Sequence, residues 1–109
     1  MADLKPVRWL GTTRDDICAQ RPKIRDELGQ QLFRVQMGLM PNNYKPMSTV
    51  GAGVYEIRVQ DADGIARLMY VAKFNDVVYV LHVFTKKSKR TPRIDIDLAK
   101  KRYREARDG

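Results

Sequence analysis

Two arginines on either side of a predicted hairpin turn have the chemistry needed to hold a phosphate. Arg58 precedes and Arg67 follows the turn at residues 61–64, which ends in the Asp-Gly pair typical of tight hairpins. Pairing across this turn would place both guanidinium groups on the open face of a sheet. There they could stabilise the charge that grows on a phosphate during cleavage. The alternative is two exposed cross-strand positions neutralised by Glu56 or Asp63.

Arg67 is also the only charged residue in the predicted strand segment 65–71. A charged side chain is almost never fully buried unless it is paired, so we expect Arg67 to face solvent or an anion.

Two lysines end the last predicted strand and begin a basic run. Lys86 or Lys87 could act as a general base if neighbouring cations lower its pKa, or stay charged and bind phosphate. Strand alternation turns the two side chains to opposite faces, which favours one of them in a site. A charged strand end without a function is the alternative.

His82 is the one histidine of the chain and a natural general acid or base, because its ordinary pKa is near neutrality. It lies in residues 77–84, however, a run that is apolar on both faces. A histidine in such a run is more often structural, hydrogen-bonded within the fold. Both interpretations remain open from the sequence.

The elements that would position these residues follow from periodicity and turn residues. A short strand is predicted at residues 6–10, a first helix from Thr13 and a second from Pro22. The second helix carries apolar residues at helical spacing and ends at residues 41–43, before a loop at 44–53. The residues of this stripe are Ile24, Leu28, Leu32, Val35 and Leu39.

The second half of the chain predicts an antiparallel meander and a closing helix. Alternation and turns indicate strands at residues 54–60, 65–74 and 77–85. The helix is expected to begin after Thr91 as N-cap and to run to about Arg107. Its expected packing face comprises Ile94, Leu98, Ala99, Tyr103 and Ala106. The predicted fold is one α+β domain over residues 1–109: a small antiparallel β-sheet, two N-terminal helices packed on one face, and a C-terminal helix.

Charge distribution favours a polyanionic partner. The 109 residues carry a net charge of +8, of which residues 86–109 contribute +6 from 10 basic and 4 acidic side chains. Nucleic acid is the first candidate for such a concentration, and a solvated basic helix is the alternative. No apolar run is long enough for a membrane span, and the first residues lack the apolar core of a signal peptide. We therefore expect a cytoplasmic protein.

Several segments together resemble the RelE/ParE superfamily of type II toxins, in particular its phage-derived, HigB-like branch. The similarity extends from about residue 5 to residue 105. Its most specific part is the LHVFTKK segment, followed by Thr91, Pro92 and a basic helix. The other matching segments are GVYEIR (53–58), DGIARLMY (63–70), LFRVQMG (32–38) and KPM (45–47).

The resemblance implies a toxin that cleaves messenger RNA on the ribosome, without metal or other cofactor, until an antitoxin blocks it. The expected antitoxin is a helix-turn-helix protein of the XRE or HigA-like type. In such proteins helices pack on one face of the sheet and the other face binds RNA. The implied catalytic set is Arg67, Arg58, His82, Lys87 and Lys86; the implied RNA-binding set is Lys89, Arg90, Arg93 and Lys73.

One departure from the family pattern concerns the C-terminus. Several members carry a catalytic tyrosine or histidine there, where this chain offers only Tyr103 in a predicted helix face. This departure leaves open which residues are the general acid and the general base. Two other functions compete with RNA cleavage: a ParE-like poison of DNA gyrase, and a basic RNA-binding module without catalysis.

Overall fold

The computed structural model describes residues 3–109, in which five strands form one mixed sheet. The strand order is β1-β5-β4-β3-β2, with β1 parallel to β5 and every other pair antiparallel. The α+β fold is confirmed, and the sheet differs from the prediction only at its edges. The strands are β1 (Val7–Trp9), β2 (Tyr44–Pro46), β3 (Val54–Asp61), β4 (Gly64–Phe74) and β5 (Val77–Lys86).

Local sequence patterns predicted neither the strand β2 nor the pairing partner of β1. β2 lies in the segment predicted as a loop, and all three of its residues are exposed, so the sequence carries no alternation there. β1 was expected as a strand, but its parallel pairing with β5 joins residues about 70 positions apart. Such pairing depends on the connecting chain and not on local sequence.

Both hairpins of the meander form as predicted. Asp61 pairs with Gly64 across the first turn, and this register places Arg58 directly opposite Arg67. At the second turn, Asn75 and Asp76 both have positive φ (57° and 54°), which is the backbone of a tight two-residue hairpin.

Two helices cover one face of the sheet. α1 (Thr13–Cys18) and α2 (Pro22–Gln36) pack their apolar residues onto alternating side chains of β3, β4 and β5. Four residues of the predicted α2 stripe are buried, but Leu39 is 48% exposed. The helix ends at Gln36, because Gly38 takes a φ of +85° that terminates it before the predicted stop at residues 41–43.

The third helix covers much of the opposite face of the sheet. The resemblance implies that this face binds RNA, so an exposed surface was expected there. α3 (Arg93–Asp108) buries Ala99 and Ala106 against β4 and β5 in a second apolar cluster. Its expected packing face is wrong at Ile94, which is 74% exposed, because the helix turns Asp95 and Arg102 towards the sheet instead. Within residues 3–109, no helix has the length and apolarity required to cross a membrane.

Candidate active site

A buried carboxylate organises the polar side chains on the α3 face of the sheet. Glu56 of β3 is fully buried, and its Oε1 accepts a hydrogen bond from Arg58 Nε at 2.7 Å. Arg67 Nη1 lies 3.9 Å from the same oxygen, while Oε2 accepts a hydrogen bond from Thr91 Oγ1 at 3.0 Å. Because a buried charge is tolerated only when it is paired and hydrogen-bonded, these contacts explain why a carboxylate occupies this position.

Arg67 is a buried member of this cluster: of the two environments expected for it, solvent is wrong, and the anion that it faces is the Glu56 carboxylate. Its exposed fraction is 0%, and it donates hydrogen bonds to Thr91 Oγ1 (3.1 Å) and to the Ser88 carbonyl oxygen. Burial lowers the pKa of the guanidinium, and the charge of Glu56 opposes that shift. The assignment of Arg67 to the scissile phosphate stays a prediction. In this conformation the arginine holds the segment 88–91 against the sheet.

Arg58 is the arginine of the pair that reaches the surface. Its side chain is 17% exposed, and Nη2 donates a hydrogen bond to the Lys89 carbonyl oxygen at 2.9 Å. The predicted juxtaposition of Arg58 and Arg67 is therefore confirmed, although their shared face is closed over Arg67 by residues 88–91. The sequence interpretation in which Glu56 neutralises these arginines also matches the geometry.

Thr91 connects the basic segment to the cluster instead of capping α3. Its hydroxyl donates a hydrogen bond to Glu56 and accepts one from Arg67. The N-cap residue of α3 is Pro92, whose side chain has no hydrogen-bonding group. The predicted N-cap role of Thr91 is therefore wrong. The physical reason is that the Thr91 hydroxyl donates to Glu56 Oε2 and its oxygen accepts from Arg67 Nη1, so the side chain is directed into the cluster and away from the first backbone N–H groups of α3, from which an N-cap oxygen would accept.

His82 lies beside the arginine cluster and is tied to α3. It is 7% exposed, and its Nε2 donates a hydrogen bond to Asp95 Oδ1 at 2.7 Å. Its ring stacks on Phe84 at 4.4 Å, and the Arg67 guanidinium lies 5.8 Å from the centroid of the same ring. Burial lowers the pKa of His82, and the hydrogen bond that the ring donates to Asp95 partly offsets this shift. These contacts match the structural interpretation of the histidine, while its catalytic role stays untested.

An exposed basic segment continues from the cluster to an open groove. Lys86, Lys87, Lys89 and Arg90 are all exposed between the end of β5 and the start of α3. The groove has a volume of about 710 Å³ and is lined by Arg90, Arg93 and Lys100, among others. Lys89, Arg90 and Arg93 are the three predicted RNA-binding residues near the cluster. Of these, Arg90 and Arg93 line the groove.

Two further cations at this surface were not predicted from the sequence. Lys100 lines the groove from the second turn of α3, and Lys45 lines a neighbouring depression of about 370 Å³ that shares Arg90 and Thr91. The helical period could have indicated Lys100, since it lies seven residues after Arg93 and thus on the same helix face. No local signal marks Lys45, which reaches this surface only because β2 pairs with β3.

Lys73, predicted to bind RNA, lies apart from the other members of the set. It is six residues beyond Arg67 on β4, a distance of about 20 Å along a strand. Its exposed ammonium lies 5.4 Å from the Phe74 ring. The fold therefore does not bring Lys73 to the groove.

Comparison with known proteins gives one match. The family model described as "Phage derived protein Gp49-like (DUF891)" matches residues 15–104. No curated protein and no solved structure matches the chain significantly. The matched range includes the cluster, the basic segment and most of α3.

Proposed function

Because the chain belongs to the phage-derived Gp49-like family, a family of RelE-like toxins, we propose that it is the toxin of a type II toxin–antitoxin system. We propose further that it cleaves messenger RNA on the ribosome by a metal-independent mechanism. Family membership supports the toxin and its antitoxin partner. The nuclease activity rests on the arrangement of side chains described above.

The observation that carries the proposal is the Glu56 cluster beside a basic groove. Glu56 fixes the guanidinium of Arg58 at the surface, through the 2.7 Å hydrogen bond to Nε. The adjoining segment 86–93 supplies five further cations, which suit the phosphates that flank a cleavage site. A preorganised cation next to a polyanion-binding groove is what stabilisation of a phosphoryl transition state requires.

In the proposed reaction, the 2′-hydroxyl of the RNA attacks the adjacent phosphorus and loses its proton to a general base. The bond to the 5′-oxygen breaks, this oxygen takes a proton from a general acid, and the products are a 2′,3′-cyclic phosphate and a 5′-hydroxyl. Arg58 stabilises the phosphate charge directly, and Arg67 supports it by holding Ser88 and Thr91. Lys86 and Lys87 are the exposed candidates for proton transfer, and His82 would need the His82–Asp95 contact to open.

A non-catalytic RNA-binding module is the alternative that has a specific observation in its favour. Arg67 and His82 are both buried and hydrogen-bonded within the fold, and their remaining unpartnered atoms, Arg67 Nε and His82 Nδ1, are buried as well, so neither side chain is accessible to substrate in this conformation. The basic groove alone would suffice for binding. Cleavage and binding therefore have to be measured separately. A gyrase poison would act on DNA and leave messages intact.

The test is expression of the chain without a partner, followed by cleavage assays with purified protein and programmed ribosomes. We expect growth arrest with broken messages that end in 2′,3′-cyclic phosphate, unaffected by a metal chelator. Arg58→Ala should reduce cleavage by about 10²–10³, as does loss of one oxyanion-stabilising donor in other enzymes. The matched control is Arg104→Ala, an exposed arginine on α3 outside the groove, which should cleave normally. Intact messages with accumulating DNA breaks would favour the gyrase function instead.

A further inference from the structure

Exposed apolar side chains are concentrated around the C-terminal end of α2 and the start of β2, and those named below do not line the basic groove. Seven large apolar side chains are exposed in the part of the chain that the structure describes, and six of them belong to this region. We call them the apolar surface: Leu4, Phe33, Met37, Leu39, Met40 and Tyr44. A concentration of this kind on a small protein marks an interaction site, whereas scattered single residues do not.

Contacts place these residues next to one another around the C-terminal end of α2 and the neighbouring edge of the sheet. Met37 N donates to the Phe33 carbonyl oxygen at 3.1 Å, so these two residues lie one turn apart at the end of α2. The backbone of Lys5, next to Leu4, bonds to the backbone and side chain of Gln36. Tyr44 packs edge-on against Tyr55 at 5.5 Å, and Tyr55 lines the same cleft as Leu39 and Met40.

That cleft indicates the charge of the partner. It has a volume of about 270 Å³, and its lining includes the cations Lys5 and Lys73 but no carboxylate. The same cleft of a second copy would present lysines and no carboxylate, so a symmetric interface here would bring like charges together, which is unfavourable. An apolar segment that carries a carboxylate fits both the surface and its charged border.

We propose that this cleft and the apolar surface bind an amphipathic, acidic segment of the antitoxin. The proposal rests on the toxin function proposed above. The cleft residues Tyr55 and Tyr70 project from the sheet face that α1 and α2 cover, whereas Glu56, Arg58 and Arg67 lie on the α3 face. The bound segment therefore lies away from the Glu56 cluster and leaves the candidate active site unfilled.

The test uses the chain expressed alone and together with the product of each open reading frame that flanks its gene. One flanking product should neutralise the unaltered chain. The double variant Leu39→Asn/Met40→Asn should still arrest growth when expressed alone but escape neutralisation. Its affinity for the purified flanking product should be at least about tenfold weaker, as for loss of central apolar contacts in other interfaces. The matched control is Ile94→Asn, at an exposed apolar residue outside the surface, which should remain neutralised.

A charge variant tests the acidic nature of the partner. Lys73→Glu should weaken binding of the flanking product in calorimetry by about tenfold, whereas Lys73→Arg should retain it, because the arginine keeps the positive charge. Unchanged affinity in Lys73→Glu would contradict an acidic partner segment.

The outcomes separate this inference from the proposed function. If the unaltered chain alone does not arrest growth, the toxin function fails. If it does arrest growth and the double variant is neutralised as well as the unaltered chain, the docking site is wrong. The inference is also overturned if neither flanking product neutralises the unaltered chain.

Discussion

Arg67 illustrates how a buried ion pair changes the expected effect of a substitution. The strand pattern alone predicts a small change in stability for Arg67→Ala, within about 0.5 kcal/mol for an exposed position. In the structure the substitution leaves the buried Glu56 carboxylate without one of its two arginines and the Ser88 carbonyl oxygen without its donor. We therefore expect the free energy of unfolding to fall by about 3–5 kcal/mol.

Urea denaturation of Arg67→Ala checks this expectation. Arg104→Ala is the control, since it removes an exposed arginine of α3 that lies outside the Glu56 cluster. A change of less than about 0.5 kcal/mol in Arg67→Ala would mean that the arginine is free of the cluster in solution.

His82 should make stability depend on pH, because it is the one histidine of the chain. Burial lowers its pKa in the folded protein below the ordinary value near 6.5; Asp95 and Asp16 oppose this shift, and Arg102 adds to it. Above about pH 6.5 both folded and unfolded forms are neutral at this residue, so its contribution is complete. Below that pH the unfolded chain binds the proton first, and the free energy of unfolding declines.

Thermal melting between pH 7.5 and 5.5 measures this dependence. The melting temperature of the unaltered chain should fall as the pH is lowered through this range. His82→Gln should melt at a temperature that varies much less with pH, because it removes the titrating group. An equal dependence in the variant would show that another group is responsible.

At the scale of the elements, the segment between β5 and α3 combines anchoring with charge. Ser88 and Thr91 accept hydrogen bonds from Arg67, and the Lys89 carbonyl oxygen accepts one from Arg58, so buried or half-buried arginines hold the backbone of this segment. The side chains of Lys89 and Arg90 remain exposed. A flexible basic tail would lose more conformational entropy on binding RNA than a segment held in this way.

Neutralising this segment should therefore change RNA binding in a measurable way. Lys89→Ala/Arg90→Ala should weaken RNA binding and reduce the slope of log affinity against log salt by about one unit for each lost phosphate contact. The matched control is Lys101→Ala/Arg104→Ala, which removes the same charge from exposed positions of α3 outside the groove. Equal slopes for both double variants would mean that the segment acts only through net charge.

At the scale of the whole molecule, the two faces of the sheet are covered by different helices and carry different polar content. The face under α1 and α2 is packed with apolar side chains and borders the apolar surface. The face under α3 combines an apolar cluster with Glu56, the two arginines, His82 and Asp95. This separation allows an antitoxin and an RNA to occupy opposite sides of the protein, as the two proposals require.

Features that depend on local spacing follow from the sequence alone. Alternation and the Asp-Gly turn predicted the meander, and with it the pairing of Arg58 with Arg67. Helical spacing predicted the buried residues Ile24, Leu28, Leu32 and Val35 of α2. The concentration of positive charge in residues 86–109 follows directly from their composition. Each of these features is fixed by backbone geometry or by residue type over a few neighbouring positions.

The identity of the buried polar residues and of their partners depends on how the helices and strands pack together. Strand alternation predicts that Glu56, Arg58 and Arg67 share one face of the sheet. It does not predict that residues 88–91 and α3 cover that face. The contact between His82 and Asp95 joins a strand to a helix, and no local pattern relates the two. The physical reason is that the cost of burying a charge depends on partners brought together from distant parts of the chain, whereas periodicity records only which way a side chain points.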